Sequence, residues 1–276
     1  FRAQYFNPDV DGILFLEKAL RFGAKYQENL NSSQTSLFSD STNETYQDLT
    51  IPKCESWSNL IRLKKEKEVV GIYISSHPLD DFTHEMKHFM NISFNRLGDL
   101  SPFINKELSL GGIVNDVQHL ESRNGKGWAR FTMEDYTDLY EFRIFGEDYL
   151  KYRHFLVVNQ FIRIRLSVRE GWTNRETGKL GAPRMQFLHF EMLQNTIESN
   201  AKKLTLQVDI SQLKDKQIDT LQANLKSYKG DQLLFFNVYD NNKKVKLILN
   251  SKKQKVKISS GLLDFLDKEH WHYKLN

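Results

Sequence analysis

The sequence predicts a multidomain chain, mainly β plus α+β: a short helical segment, a five-stranded barrel and a small C-terminal α+β domain. Three observations predict it. Apolar residues recur at three-to-four spacing up to Pro102 and at spacing two beyond it, the periods of helix and strand. Alternating runs fill most of the stretch from Lys106 to Leu193, with one helical stretch between the third and the fourth. Arginine stops at Arg184. From Lys202 to the end there are 15 lysines against 8 acids, a charge of +7 in a chain whose net charge is +4. The last segment is therefore a compositional unit of its own.

The helical part comes first. Leu14, Leu16, Ala19, Leu20 and Phe22 predict a helix from Ile13 to Asn29 within a first segment, 1–30. Residues 31–56 are rich in Ser, Thr, Asn and Asp and read as a linker. A connector, 57–105, holds a charged amphipathic helix from Trp57 to Val70, the short apolar run Gly71-Ile72-Tyr73-Ile74, and a helix from Leu79 to Met90. Pro78 lies at the start of that helix, where a missing N–H costs nothing.

The barrel segment is 106–197. Leu108 to His119 is a long strand with Gly111-Gly112 inside it, expected to bulge or bend there. Ser122 to Gly127 is a hairpin turn. Trp128 to Glu134 and Leu139 to Phe145 are strands two and three, Glu147 to Phe155 a short helix, Phe161 to Arg169 strand four and Met185 to Leu193 strand five. Five strands with a helix between the third and fourth is the order of an OB-fold, expected as a closed Greek-key cylinder. The final domain, 202–276, alternates strand, helix, two strands, helix and strand.

Strand four carries a pointed pattern. Ile162, Ile164, Leu166 and Val168 share one face and Arg163, Arg165 and Arg169 the other. Guanidiniums side by side repel, and two compensations are open: acids on neighbouring strands, or a polyanion laid across the row. An OB barrel holds single strands across strands two and three and between its one-two and four-five loops. Strand two offers Trp128 and Arg130; strand three offers Phe142, Arg143 and Phe145. The loops offer Arg123, Lys126, Trp172, Arg175, Lys179 and Arg184. Alternation assigns Phe131 and Met133 to the core, and Phe142 reads as core too. The DNA-contact set is then Arg123, Lys126, Trp128, Arg130, Arg143, Arg163, Arg165, Arg169, Trp172, Arg175 and Lys179.

Within the linker, Gln34-Thr35-Ser36-Leu37-Phe38 puts two large apolar side chains in a polar stretch. They either dock in a partner's pocket, with Gln34 on its rim, or pack back on the chain's own helices. Three patterns imitate metal sites. His84-Glu85-Met86-Lys87-His88 matches a zinc-hydrolase helix without a third histidine nearby. Glu134, Asp135, Asp138 and Glu141 read as a solvated turn. Asp9 and Asp11 read as loop residues. The single cysteine, Cys54, excludes an internal disulfide and a multi-cysteine zinc site, and suits a cytoplasmic protein. No run of the sequence is long and apolar enough to predict a membrane span, so no membrane partner is expected. A first residue of Phe1 reads as a piece cut from a longer polypeptide.

Lys65 to Asp80, through Ser75-Ser76-His77-Pro78-Leu79-Asp80, resembles the segment that precedes the OB domain in the catalytic alpha subunit of bacterial DNA polymerase III. Tyr140 to Phe145 with Tyr149-Leu150 is similar to that family's third strand and short helix, and Gln34 to Phe38 resembles its internal clamp-binding motif. The resemblance covers essentially the whole chain. It implies the end of the fingers region, a clamp peptide (Gln34, Leu37, Phe38), an OB domain near single-stranded template, and a C-terminal domain that contacts the tau subunit of the clamp loader. It also implies a polymerase parent whose palm carboxylates and Mg2+ lie upstream of Phe1. This segment alone is then expected to carry no catalytic residue and no cofactor. The alternatives are a free-standing OB-fold single-strand-binding protein and a zinc hydrolase built on His84-Glu85.

Overall fold

The computed structural model describes residues 2–8, 12–31, 50–173, 180–240, 245–252 and 254–276. It divides into two compact units, Phe1–Pro78 and Leu79–Asn276. In the first, α1 (Arg2–Tyr5), α2 (Phe15–Asn31) and α3 (Asn59–Val70) follow in order. Ser58 caps α3 by accepting the Ile61 N–H, and α3 buries Leu63. The 71–74 run makes no strand. Instead Glu66 accepts from the backbone and hydroxyl of Ser75, which holds its carboxyl below the ordinary carboxylate range.

The second unit opens on a 3₁₀ turn, Pro78–Phe82, and α4 (Thr83–Phe89), so the single helix expected over 79–90 is split. Then come β1 (Glu107–Glu121), β2 (Gly127–Glu134), β3 (Leu139–Phe145), α5 (Gly146–Tyr152), β4 (Phe161–Arg169), β5 (Arg184–Met192) and α6 (Thr196–Asn200). The five strands form one antiparallel sheet in the order β3-β2-β1-β4-β5, OB-like in connectivity. β1 serves both halves: Glu107 to Ile113 pair with β4, and Ile113 to Glu121 with β2.

The extra residue of β1 is Asn115, where the register with β2 shifts, and not the Gly111-Gly112 pair. Those glycines serve close approach. A Cβ on Gly112 would lie 2.5 Å from the Glu134 carbonyl oxygen, and one on Gly111 would lie 2.7 Å from the Met86 sulfur of α4. The core lies where alternation puts it. Phe131, Met133, Phe142, Ile144, Ile162, Ile164, Leu166 and Phe190 are buried together inside the curved sheet. The expected closed cylinder is corrected at one seam. No hydrogen-bonded ladder joins β3 to β5 among the described residues. Side chains span the gap instead, with the Phe142 and Phe187 rings 6.5 Å apart.

A second core belongs to the C-terminal segment. Its elements are β6 (Lys203–Asp209), α7 (Asp215–Ser227), β7 (Lys229–Asp240), β8 (Val245–Asn250), α8 (Ser260–Lys268) and β9 (His272–Leu275). The sheet order is β8-β7-β6-β9, and β6 and β7 run parallel because α7 carries the chain across. Leu204, Leu206, Leu234, Leu262, Leu263 and Leu266 fill the space between sheet and helices.

Candidate nucleic-acid interface

Three strands line up their outward side chains in rows. Leu120, Trp128 and Phe145 stand opposite one another across β1, β2 and β3. The Trp128 and Phe145 rings stack with centroids 5.1 Å apart and planes 18° apart. Phe145 is 56% exposed. The next row is Gln118, Arg130 and Arg143, and the third is Asp116, Thr132 and Glu141. An apolar aromatic strip therefore borders an arginine strip on one face.

One carboxylate steadies both arginines. Glu141 Oε1 accepts from Arg143 Nε at 3.0 Å and Nη2 at 2.9 Å, and its Oε2 lies 3.7 Å from Arg130 Nη1. Arg130 also donates to Gln118 Oε1 at 2.7 Å. Two cations share one anion here, which leaves positive charge facing solvent. Arg123 and Lys126 are exposed in the β1–β2 turn at the end of the sheet where Trp128 stands.

A second cluster edges the open seam. Trp172 is 76% exposed, and the Arg184 guanidinium lies 4.3 Å from the centre of its ring. Arg169 is paired across from Arg184 on β4 and β5 and donates to Gln186. Arg143 and Arg184 both line a cleft of about 470 Å³ between β3 and β5, with Tyr140, Phe142 and Phe187 on its apolar wall. Arg175, Lys179, Gln34, Leu37 and Phe38 lie outside the described residues, as do Asp9 and Asp11.

The arginine row of β4 is corrected. Arg163 is only 7% exposed. It donates to Glu191 Oε1 at 2.6 Å and to Ser109 Oγ at 2.9 Å, and lies over the Phe89 ring. Asn200 of α6 binds the same Glu191 oxygen. α4 and α6 cover this part of the sheet, because Gly111 leaves room for Met86 and Met90. Arg165 is partly exposed and donates to Glu107 Oε2 at 2.8 Å. Glu191, rather than a polyanion, compensates buried Arg163, which is not a free contact, whereas Arg165 keeps a partly exposed guanidinium beside Glu107.

The metal look-alikes resolve into packing. His84 Nε2 lies 2.7 Å from Asp264 Oδ1 of α8, and its Nδ1 lies 3.3 Å from the Tyr273 hydroxyl of β9. Glu85 is buried, and its burial raises its carboxyl; burial lowers the His88 imidazole. Asp135 is buried rather than solvated. It accepts from the backbone of Phe94, Thr137 and Asp138 and from the Thr137 hydroxyl, fixing the β2–β3 turn to the connector. Among the described residues no group of three or more His, Cys, Asp or Glu could hold a metal ion. Phe145, Leu120 and Glu141, absent from the sequence-derived contact set, complete the face. Alternation from Arg143 signals Phe145, whereas the Glu141 clamp needs the strand register.

Known proteins are similar over most of this length. The family described as "DNA polymerase III alpha subunit, C-terminal domain" matches residues 204–276. The DNA polymerase III subunit alpha of Borreliella burgdorferi is 26% identical over 249 residues, 86% of this chain and 20% of that protein. That of Pasteurella multocida is 25% identical over 227 residues, 81% of this chain and 19% of that protein. The chain is thus similar to the C-terminal region of DNA polymerase III alpha subunits. The Treponema pallidum subunit is 30% identical over 120 residues, 44% of this chain and 10% of its own length. The chain spans about a fifth or less of the length of these relatives. Among solved structures, the HINa domain of Ifi202 in complex with a 20-base-pair DNA overlaps 55% of this chain and 80% of its own. Its identity is 14% and its TM-score 0.19. Among the described residues no helix is long and apolar enough to cross a membrane.

Proposed function

We propose that this segment handles unpaired template strand and tethers a replicative polymerase to its partners. The observation that carries the reading is the pair of rows on β1, β2 and β3: Leu120, Trp128 and Phe145 beside Gln118, Arg130 and Arg143. Exposed aromatic faces stack bases of any sequence, and a neighbouring line of cations follows the phosphates. Base pairs in a duplex are already stacked, so the face suits single strands. Trp172, Arg169 and Arg184 extend it across the seam, Arg123 and Lys126 stand in its β1–β2 turn, and Arg175 and Lys179 remain contacts expected from the sequence.

In this reading Gln34, Leu37 and Phe38 anchor the parent DNA polymerase to its sliding clamp, and the 202–276 unit contacts the tau subunit of the clamp loader. Two weak tethers raise each other's occupancy through effective concentration, which keeps the enzyme at its template. Similarity to DNA polymerase III alpha subunits supports this assignment. The Mg2+-dependent chemistry belongs to the parent's palm, and this segment takes no cofactor.

Fluorescence anisotropy with a labelled oligo-dT strand tests the template half. Phe145→Ala should weaken binding by about tenfold, since one stacked base contributes about 1–3 kcal/mol. Unchanged affinity in both Phe145→Ala and Arg143→Ala would overturn it.

A further inference from the structure

We propose that β8 is a docking edge, to which an extended acidic segment of a partner protein adds as a further strand. The inference rests on reading the 202–276 unit as a partner-binding domain, and names the surface and the chemistry of what it takes. Among the described residues β8 is the outermost strand of its sheet and pairs only with β7. All six of its residues are exposed. Leu247 is 53% and Ile248 65% exposed, with Val245 and Leu249 beside them.

Edge strands normally blunt themselves with prolines, bulges or several charges. β8 has no proline, its register with β7 is unbroken from Val245 to Asn250, and Lys246 is its one charge. Val245, Leu247 and Leu249 fall on the face of Val238 and Phe236, and Ile248 on the opposite face. A strand laid alongside would cover both faces and satisfy the open backbone edge.

Charge chooses the occupant. Residues 243–257 contain seven lysines and no acid. Nucleic acid is the competing polyanion, but the apolar side chains of β8 are aliphatic and offer bases no ring to stack on. Arginine, with its two-pronged grip on phosphate, is missing from the whole segment after Arg184. An acidic peptide with alternating aliphatic residues matches both the lysines and the leucine-isoleucine edge.

Hydrogen exchange on the full chain tests this, using a capped peptide of alternating glutamate and valine as the probe. At about ten times its Kd, the probe should slow exchange of the 245–250 amides by up to about tenfold. Ile248→Asp and the strand-compatible Ile248→Thr should both weaken probe binding while circular dichroism stays unchanged. Equal protection by oligo-glutamate would overturn the proposal, as charge alone would then suffice. Protection by oligo-dT in place of the peptide would overturn it too, as would protection that tracks self-association without the peptide. Retention of purified tau by the chain with β8 exchange unchanged would sink the edge and leave the partner-binding reading standing. Absence of both would sink the two together.

Discussion

Arg163 and Glu191 form a buried ion pair with 2.6 Å between Nη1 and Oε1, on the face of the sheet that alternating arginines present as open. Ser109 and Asn200 complete their hydrogen bonds. Breaking such a pair strands a charge, so Arg163→Ala should destabilise the chain by about 3–5 kcal/mol in urea denaturation. The apolar double variant, Arg163→Met with Glu191→Leu, should recover most of that loss. Neither should alter the salt slope of oligo-dT binding. A shallower slope in Arg163→Ala would return this residue to the interface.

Glu141 holds two arginines on the open face, and its removal should free them. Glu141→Gln is expected to tighten oligo-dT binding by about threefold or more at low salt and less at high salt, because screening weakens the effect. Arg130→Ala and Arg143→Ala should each reduce the salt slope by about 0.7, the value for one phosphate contact on a single strand. Titrations across a series of salt concentrations read both effects.

Gly112 and Gly111 should respond differently to alanine. The Gly112 methyl would meet a backbone carbonyl that cannot move aside, and a loss of about 1–3 kcal/mol or more is expected. The Gly111 methyl would meet the ends of Met86 and Met90, which can turn away, so the cost should be smaller. Denaturation midpoints of the two variants compare them.

The strand alternation and the five-strand order of the OB-like sheet were legible because one face of each strand must be apolar. Phe131, Met133 and Phe142 lie inside as their spacing predicts. The outer face of β4 was not legible. Whether Arg163 meets solvent depends on α4 and α6, which are distant in sequence; Gly111 leaves room for Met86 and Met90, and Asn200 of α6 shares Glu191 with Arg163. The seam between β3 and β5 was equally hidden, since a period-two run does not say whether its edge finds a partner. The histidines of α4 carried a metal-like spacing whose purpose, packing on α8 and β9, becomes visible only in three dimensions.

The α4 contacts also set a pH dependence. Burial lowers His88 from 6.5, so the folded chain binds its proton less readily than the unfolded chain. Its contribution is present above pH 6.5 and is lost as pH falls through the lowered folded value. Glu85 runs the other way. Its carboxyl is raised from 4.5, so stability declines as pH climbs from 4.5 through the raised value. His88→Phe should flatten the acid limb of a stability profile, and Glu85→Gln should raise stability at neutral pH. Denaturation at a series of pH values checks both signs.

The most direct test is photocrosslinking of an iododeoxyuridine-substituted oligo-dT to the full chain, with the adducts located by mass spectrometry. The rows on β1, β2 and β3 predict adducts at Trp128 or Phe145, with Trp172 as a further site. Adducts confined to residues 202–276, or none on β2 and β3, would contradict the account.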